Sequence, residues 1–177
     1  MRLFVALDLP WEVRERLSML AGGIAGARWV DPDNYHLTLR FIGETPPHGA
    51  EEIDHALANL RARAFELTLS GIGTFHKGGR TTALWAGVEK NEPLEFLQSK
   101  VETALQRAGF ERERKRFSPH VTLARTDGAP EAKLAAFVQA HNLFRAGPIP
   151  VGHFTLFSSR LGKEQAVYTA EAEYELA

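Results

Sequence analysis

Tyr35-His36-Leu37-Thr38-Leu39-Arg40-Phe41-Ile42-Gly43-Glu44 is the stretch on which the fold turns. Its first residues alternate polar and apolar, the period of a strand with one face in a core. His36 and Thr38 therefore share one face, and Leu37 and Leu39 the other. The Cα atoms of His36 and Thr38 would lie roughly 6.5–7 Å apart along such a strand. At that spacing an imidazole and a hydroxyl can grip different oxygens of one small tetrahedral group, such as a phosphate. The pattern returns 84 residues on, as His120-Val121-Thr122-Leu123.

The surroundings of the stretch repeat as well. Ahead of it, Leu3 to Leu9 reads as a buried strand, and Pro10 opens a helix carrying Val13, Leu17 and Leu20 that Gly22-Gly23 closes. Arg28 to Val30 reads as a short strand, and Asp31-Pro32-Asp33-Asn34 as a turn. Behind it come a loop at Pro46-Pro47, a helix over Glu51 to Arg61, a strand over Phe65 to Leu69 and a Gly-rich loop from Gly71 to Arg80. The second half runs through a strand at Ala83 to Val88, a helix at Pro93 to Ala108 and a charged stretch at Glu111 to Arg116. It continues with a strand at His120 to Ala124, a helix at Glu131 to His141, and strands at Val151 to Phe157 and Ala166 to Leu176. Strand, long helix, His-x-Thr strand, short helix, strand thus occurs twice. The order predicts an α+β fold: two similar lobes of antiparallel sheet with outer helices, related by a pseudo-two-fold axis across a central cleft. No linker separates the halves, so one bilobal domain over 1–177 is expected, its halves roughly 1–80 and 81–177, with the last strand crossing to the first lobe.

Composition narrows the chemistry. Apolar residues make up 44% of the 177, with 11 Phe and 3 Trp among them, enough for a real core. There are 0 Cys, which excludes a disulfide framework, a thiolate zinc site and a Cys nucleophile. The net charge of -1 means that any polyanion site must be local. No apolar run approaches the ~18 residues of a membrane span, and the apolar start is too short for a signal peptide. A cytoplasmic monomer without membrane contact is expected.

Two facing His-x-Thr copies would supply two imidazoles and two hydroxyls. Imidazole titrates near neutrality, so one ring can be neutral while the other is protonated. An in-line phosphodiester displacement needs that pair: one His takes a proton from water, the other gives one to the departing ribose oxygen. The hydroxyls of Thr38 and Thr122 would donate to non-bridging oxygens. As metal ligands His36 and His120 are less favoured, because zinc sites prefer His, Cys, Asp or Glu and no carboxylate stands two residues from either. A third match, His153-Phe154-Thr155-Leu156, shows that the bare tetrapeptide selects nothing by itself. His153 follows the short helix, outside the place equivalent to His36, and is read as a structural or edge histidine. Phe41 and Trp85 are read as core, and His48, His55, His76 and His141 as surface. The run Arg112-Glu113-Arg114-Lys115-Arg116 is read as a solvated segment whose cations, beside a cleft, could attract a polyanion backbone. Lys77 and Arg80 carry the same ambiguity.

With these flanks the chain resembles the 2H phosphoesterase superfamily and, within it, the RNA 2′,3′-cyclic phosphodiesterases, also called 2′-5′ RNA ligases. The resemblance covers essentially the whole chain. It rests on Arg2-Leu3-Phe4-Val5-Ala6-Leu7, the stretch from Tyr35 to Glu44, Ala83-Leu84-Trp85-Ala86-Gly87-Val88, Pro119-His120-Val121-Thr122-Leu123-Ala124-Arg125, Leu156-Phe157-Ser158-Ser159-Arg160-Leu161 and Tyr168. It implies hydrolysis of a terminal ribose 2′,3′-cyclic phosphate to a 2′-phosphate, with no metal or other cofactor, reversible as 2′-5′ ligation. It implies further that His36 is the proton donor to the 3′-oxygen, that His120 is the proton acceptor from water, and that Arg125 contacts the phosphate. The expected partners are RNA ends or nucleotides bearing a 2′,3′-cyclic phosphate. Two other functions are weighed beside this one: a related activity on small cyclic nucleotides, and an RNA- or nucleotide-binding module without catalysis.

Overall fold

A computed structural model describes residues 1–177. In chain order the elements are β1 (Arg2–Asp8), α1 (Trp11–Ser18), β2 (Arg28–Trp29), a single 3₁₀ turn at Pro32–Asn34, β3 (His36–Glu44), α2 (Pro47–Ala58), β4 (Phe65–Lys77), β5 (Arg80–Val88), α3 (Glu92–Arg107), β6 (His120–Arg125), α4 (Glu131–His141), β7 (Arg145–Val151), β8 (His153–Leu161) and β9 (Ala166–Glu175). Two antiparallel sheets result, one ordered β3-β1-β8-β9 and the other β2-β6-β5-β4-β7. The fold is α+β, as its order of elements predicts.

Four strands of each sheet correspond: β3, β1, β8 and β9 take the places that β6, β5, β4 and β7 take in the other, where β2 is an added edge strand. They do not coincide with the halves 1–80 and 81–177. After α2 the chain leaves its own sheet, so that β4 pairs with β5, and after α4 it returns, so that β8 pairs with β1. Two C-terminal strands, rather than the last one alone, complete the first sheet. One apolar cluster runs through both sheets and the inner faces of all four helices. α3 shows how the sequence builds this: Asn91 caps it by accepting from the Leu94 N–H at 2.9 Å, and Leu94, Leu97, Val101 and Leu105 form its buried stripe.

Three local expectations change. The Gly-rich segment is not a loop: β4 continues to Lys77, and only Gly78-Gly79 form the hairpin tip. Gly73 belongs inside the strand because the Trp85 ring lies on it; a Cβ there would come within 2.2 Å of the indole. Arg145–Val151 is a strand despite Pro148 and Pro150, which an edge strand tolerates because its outer N–H groups need no partner. α2 starts at Pro47 instead of Glu51, since Pro at the first turn gives up only an N–H that is unpaired there anyway.

Candidate active site

Both His-x-Thr pairs stand on the sheet faces turned away from the apolar cluster. Leu37, Leu39, Val121 and Leu123 are buried, while His36, Thr38, His120 and Thr122 are partly open. β3 and β6 approach each other where the sheets meet, and His36 feels the charge of His120. The structure therefore brings the four predicted residues to one cleft.

The two imidazoles are held alike. His36 Nδ1 lies 2.7 Å from the Asn34 carbonyl, and His120 Nδ1 lies 2.6 Å from the Ser118 carbonyl. A carbonyl only accepts, so each Nδ1 carries its proton and donates, and each Nε2 is left to exchange one. The local sequence sets these carbonyls in place. Asp31 caps the 3₁₀ turn by accepting from the Asp33 N–H at 2.8 Å, and the Asn34 amide donates to the Ala166 carbonyl at 3.0 Å. On the other side Pro119 restricts Ser118 to extended backbone.

Aromatic walls surround both rings. His36 has Phe4 at 5.0 Å, Tyr168 at 5.2 Å and Phe157 at 6.2 Å between ring centroids. His120 has Phe75 at 4.8 Å and Trp85 at 5.9 Å. Burial against these walls penalises the imidazolium. It pushes His36 down to about 4, against the Asn34 carbonyl, which favours the charged ring, and with help from His120. His120 is lowered by the same burial, opposed by the Ser118 carbonyl and aided by the Arg125 charge. Both rings are thus neutral near pH 7 in the free protein.

Arg125 reaches the cleft by a route that alternation forbids. Five residues beyond His120, it should point to the opposite face. A bulge intervenes: Leu84 faces Ala124 and Trp85 faces Thr122, so Leu123 has no partner, and Leu123 and Ala124 are both buried. Arg125 is thereby re-aimed to the His120 side. Its charge acts on His120 and on Tyr168 of the other sheet. The first motif has the same bulge, at Leu39 and Arg40, which are both buried. Phe41 is then 63% exposed and lies 6.0 Å from Phe4, so it is not a core residue. Trp85 also leaves the core for the wall beside His120.

Some residues were not anticipated as parts of the site. Arg28 lies directly across from Arg125, and its neighbour Trp29 packs inward on Phe137. Two like charges face to face are unfavourable unless an anion joins them. Phe4 and Phe157 lie inside largely apolar strand runs, Phe75 lies in the segment read as a loop, and Tyr168, though part of the resemblance, stands on a mostly polar strand. The third motif stays outside the pair: His153 bonds Asp8 at 2.9 Å, and Thr155, across Ala6 from Thr38, is buried. No three His, Asp or Glu side chains gather into a metal-binding group. No helix is long and apolar enough to cross a membrane.

The model of the 2′-5′ RNA ligase superfamily matches residues 25–163. The chain is 37% identical over 161 residues to a protein of Aeropyrum pernix named RNA 2′,3′-cyclic phosphodiesterase, covering 88% of each. It is 30% identical over 171 residues to a protein of the same name from Archaeoglobus fulgidus, covering 95% of this chain and 96% of the other. Among solved structures it is similar to Escherichia coli LigT complexed with 3′-AMP, with a TM-score of 0.80, 26% identity, and 99% and 97% of the two chains covered.

Proposed function

Because the chain belongs to the 2′-5′ RNA ligase superfamily of 2H phosphoesterases and is a phosphodiesterase, we propose that its substrate is RNA ending in a ribose 2′,3′-cyclic phosphate, which it hydrolyses to a 2′-phosphate. One observation carries this reading: two imidazoles of the same tautomer, each anchored through Nδ1, share one cleft with two threonines and Arg125. Water attacks phosphorus in line with the P–O3′ bond, and His120 Nε2 takes its proton. The P–O3′ bond breaks, and protonated His36 Nε2 gives its proton to the leaving 3′-oxygen. Thr38, Thr122 and Arg125 hold the non-bridging oxygens. No step needs a metal. With an RNA 5′-hydroxyl in place of water, the same transfers join two RNA ends: His120 takes the hydroxyl proton, the 5′-oxygen bonds phosphorus, and the 3′-oxygen leaves with the proton of His36, giving a 2′-5′ phosphodiester. The working unit is the whole chain, since each sheet draws strands from both halves.

Turnover with EDTA present tests the reading. Hydrolysis of an RNA oligomer ending in a 2′,3′-cyclic phosphate, with a 2′-phosphate as product, is expected. A 3′-phosphate product would reverse the assigned leaving group, and absence of turnover would remove the proposal. Turnover of a 2′,3′-cyclic mononucleotide alone would favour the second function weighed.

The two desolvated histidines set the pH dependence. His36 must be protonated to act, yet burial holds it near 4 in the free protein. His120 must be neutral, and its own value is lowered too. The kcat/KM profile reports the free enzyme, so its maximum is expected below pH 6.5. A bound phosphodiester anion raises His36, so the alkaline limb of kcat should lie at higher pH than that of kcat/KM. Parallel profiles with an alkaline limb above pH 8 would refute this coupling.

A further inference from the structure

The segment joining α3 to β6 has no part in the chemistry above. Its residues Glu111–Arg116 are all exposed, yet its backbone is anchored. The Arg40 guanidinium donates to the Glu111 carbonyl, Glu102 accepts from the Glu113 N–H at 3.4 Å, and Glu113 accepts from the Lys115 N–H at 3.1 Å. Glu113 is thus turned to the segment's own amide, and Glu102 is shared between the Arg40 guanidinium and the Glu113 N–H. Arg112, Arg114, Lys115 and Arg116 have no ion-pair partner and no side-chain hydrogen bond. Four free cations stand on a fixed arm in a chain of net charge -1.

The arm leads to the cleft along two routes. Through the backbone, Arg116 is four residues from His120, at most roughly 13–14 Å. Through space, the arm and the outer end of β3 border an open cavity of about 510 Å³ lined by Phe41, Ile42 and Phe110 and by the arm from Glu111 to Lys115, with the cations Arg112, Arg114 and Lys115 and the carboxylates Glu111 and Glu113. Phe41 touches Phe4, and Phe4 touches His36. A row of apolar rings thus runs from the catalytic imidazole to an open groove rimmed by free cations. Aromatic faces for bases and cations for phosphates are the two elements of single-stranded nucleic-acid binding.

We infer that the arm Arg112–Arg116 and Phe41 form a track for the RNA strand upstream of the reacting nucleotide. The inference rests on the proposed hydrolysis for its polarity. The terminal ribose holds the cyclic phosphate through its 2′ and 3′ oxygens, so the rest of the strand leaves from its 5′-oxygen. The arm takes the phosphates of those nucleotides, and the exposed Phe41 ring stacks one base.

Binding of RNA oligomers ending in a 3′-phosphate, which cannot be hydrolysed by this route, measures the track apart from the chemistry. Fluorescence anisotropy over a range of salt compares the wild type with the variant Arg112→Gln/Arg114→Gln/Lys115→Gln/Arg116→Gln. Single strands lose about 0.7 in the slope of log K against log salt per phosphate contact. Two to four contacts make the variant's slope shallower by about 1.4–2.8. Phe41→Ser is expected to weaken binding roughly 5–100-fold with the slope unchanged. The four-fold variant should also lower the ratio of kcat/KM for a cyclic-phosphate oligomer to that for the cyclic mononucleotide. Equal slopes, or oligomers bound no more tightly than the 3′-mononucleotide, would overturn the track. Equal binding of polyglutamate would assign the arm to acidic proteins and overturn it as well. Absence of hydrolysis with the slope difference intact would overturn the catalytic reading and leave the track standing. A thermal melt confirms that the variants are folded; the four cationic side chains make no ion pair or hydrogen bond, and Phe41 is largely exposed apart from its contact with Phe4.

Discussion

His36→Ala and His120→Ala should each lower kcat by ~10²–10⁴-fold, the usual contribution of one positioned proton carrier. The two losses should differ in pH dependence. Without His120 the acid limb of the profile disappears, because no base remains to be lost by protonation. Without His36 the alkaline limb disappears. Reversed limbs would exchange the two roles, and near wild-type rates in either variant would remove that residue from the mechanism. Thr38→Val and Thr122→Val should lose less, about 10–10²-fold. Each removes one hydrogen bond to a charged oxygen, worth ~1.5–3 kcal/mol, and leaves both proton carriers in place. Steady-state rates from pH 4 to pH 9, with circular dichroism on each variant, decide these points.

The largest effect on stability is expected at Arg40. Its side chain is 8% exposed and pairs with Glu102, itself 15% exposed, on α3. It also donates to the carbonyls of Phe41 and Glu111. Arg40→Ala leaves the Glu102 carboxylate partly buried without its partner, and strands two carbonyls. Breaking such a pair costs ~3–5 kcal/mol. For a chain of this size that lowers Tm by roughly 6–20 °C. Adding Glu102→Leu to Arg40→Met should recover part of the loss, because an apolar pair leaves no buried charge. A double variant no more stable than Arg40→Ala would show that the carbonyl bonds, not the ion pair, hold the junction. Urea unfolding of the single and double variants separates the two.

Much of this site was legible because a strand has a period of two. That period alone put His36 with Thr38, and His120 with Thr122, on one face. The repeated order of elements then set the two pairs opposite each other. What alternation cannot reveal is where it fails. An extra residue at Leu39 and another at Leu123 invert the faces beyond them, and the resulting exposure of Phe41 and Arg125 has no local mark in the sequence. The crossing of β4 and β8 between sheets was equally silent, because short strands carry no signal of the partner they will choose. Gly73 was misleading for a reason visible only in three dimensions: the glycine that read as loop makes room for Trp85. Resemblance named Arg125, whereas the structure alone showed Arg28 opposite it.

The exchange of strands also sets a timetable for synthesis. β3 emerges early from a ribosome, but the rings that desolvate His36 include Phe157 on β8 and Tyr168 on β9. At the usual pace of translation they follow on the order of 10 s later. Until then His36 is wet, its carbonyl anchor at Asn34 lacks the support of Ala166, and β1 has an unpaired edge. A growing chain therefore holds both histidines well before it holds the walled cleft between them, which closes only when the last strands fold home.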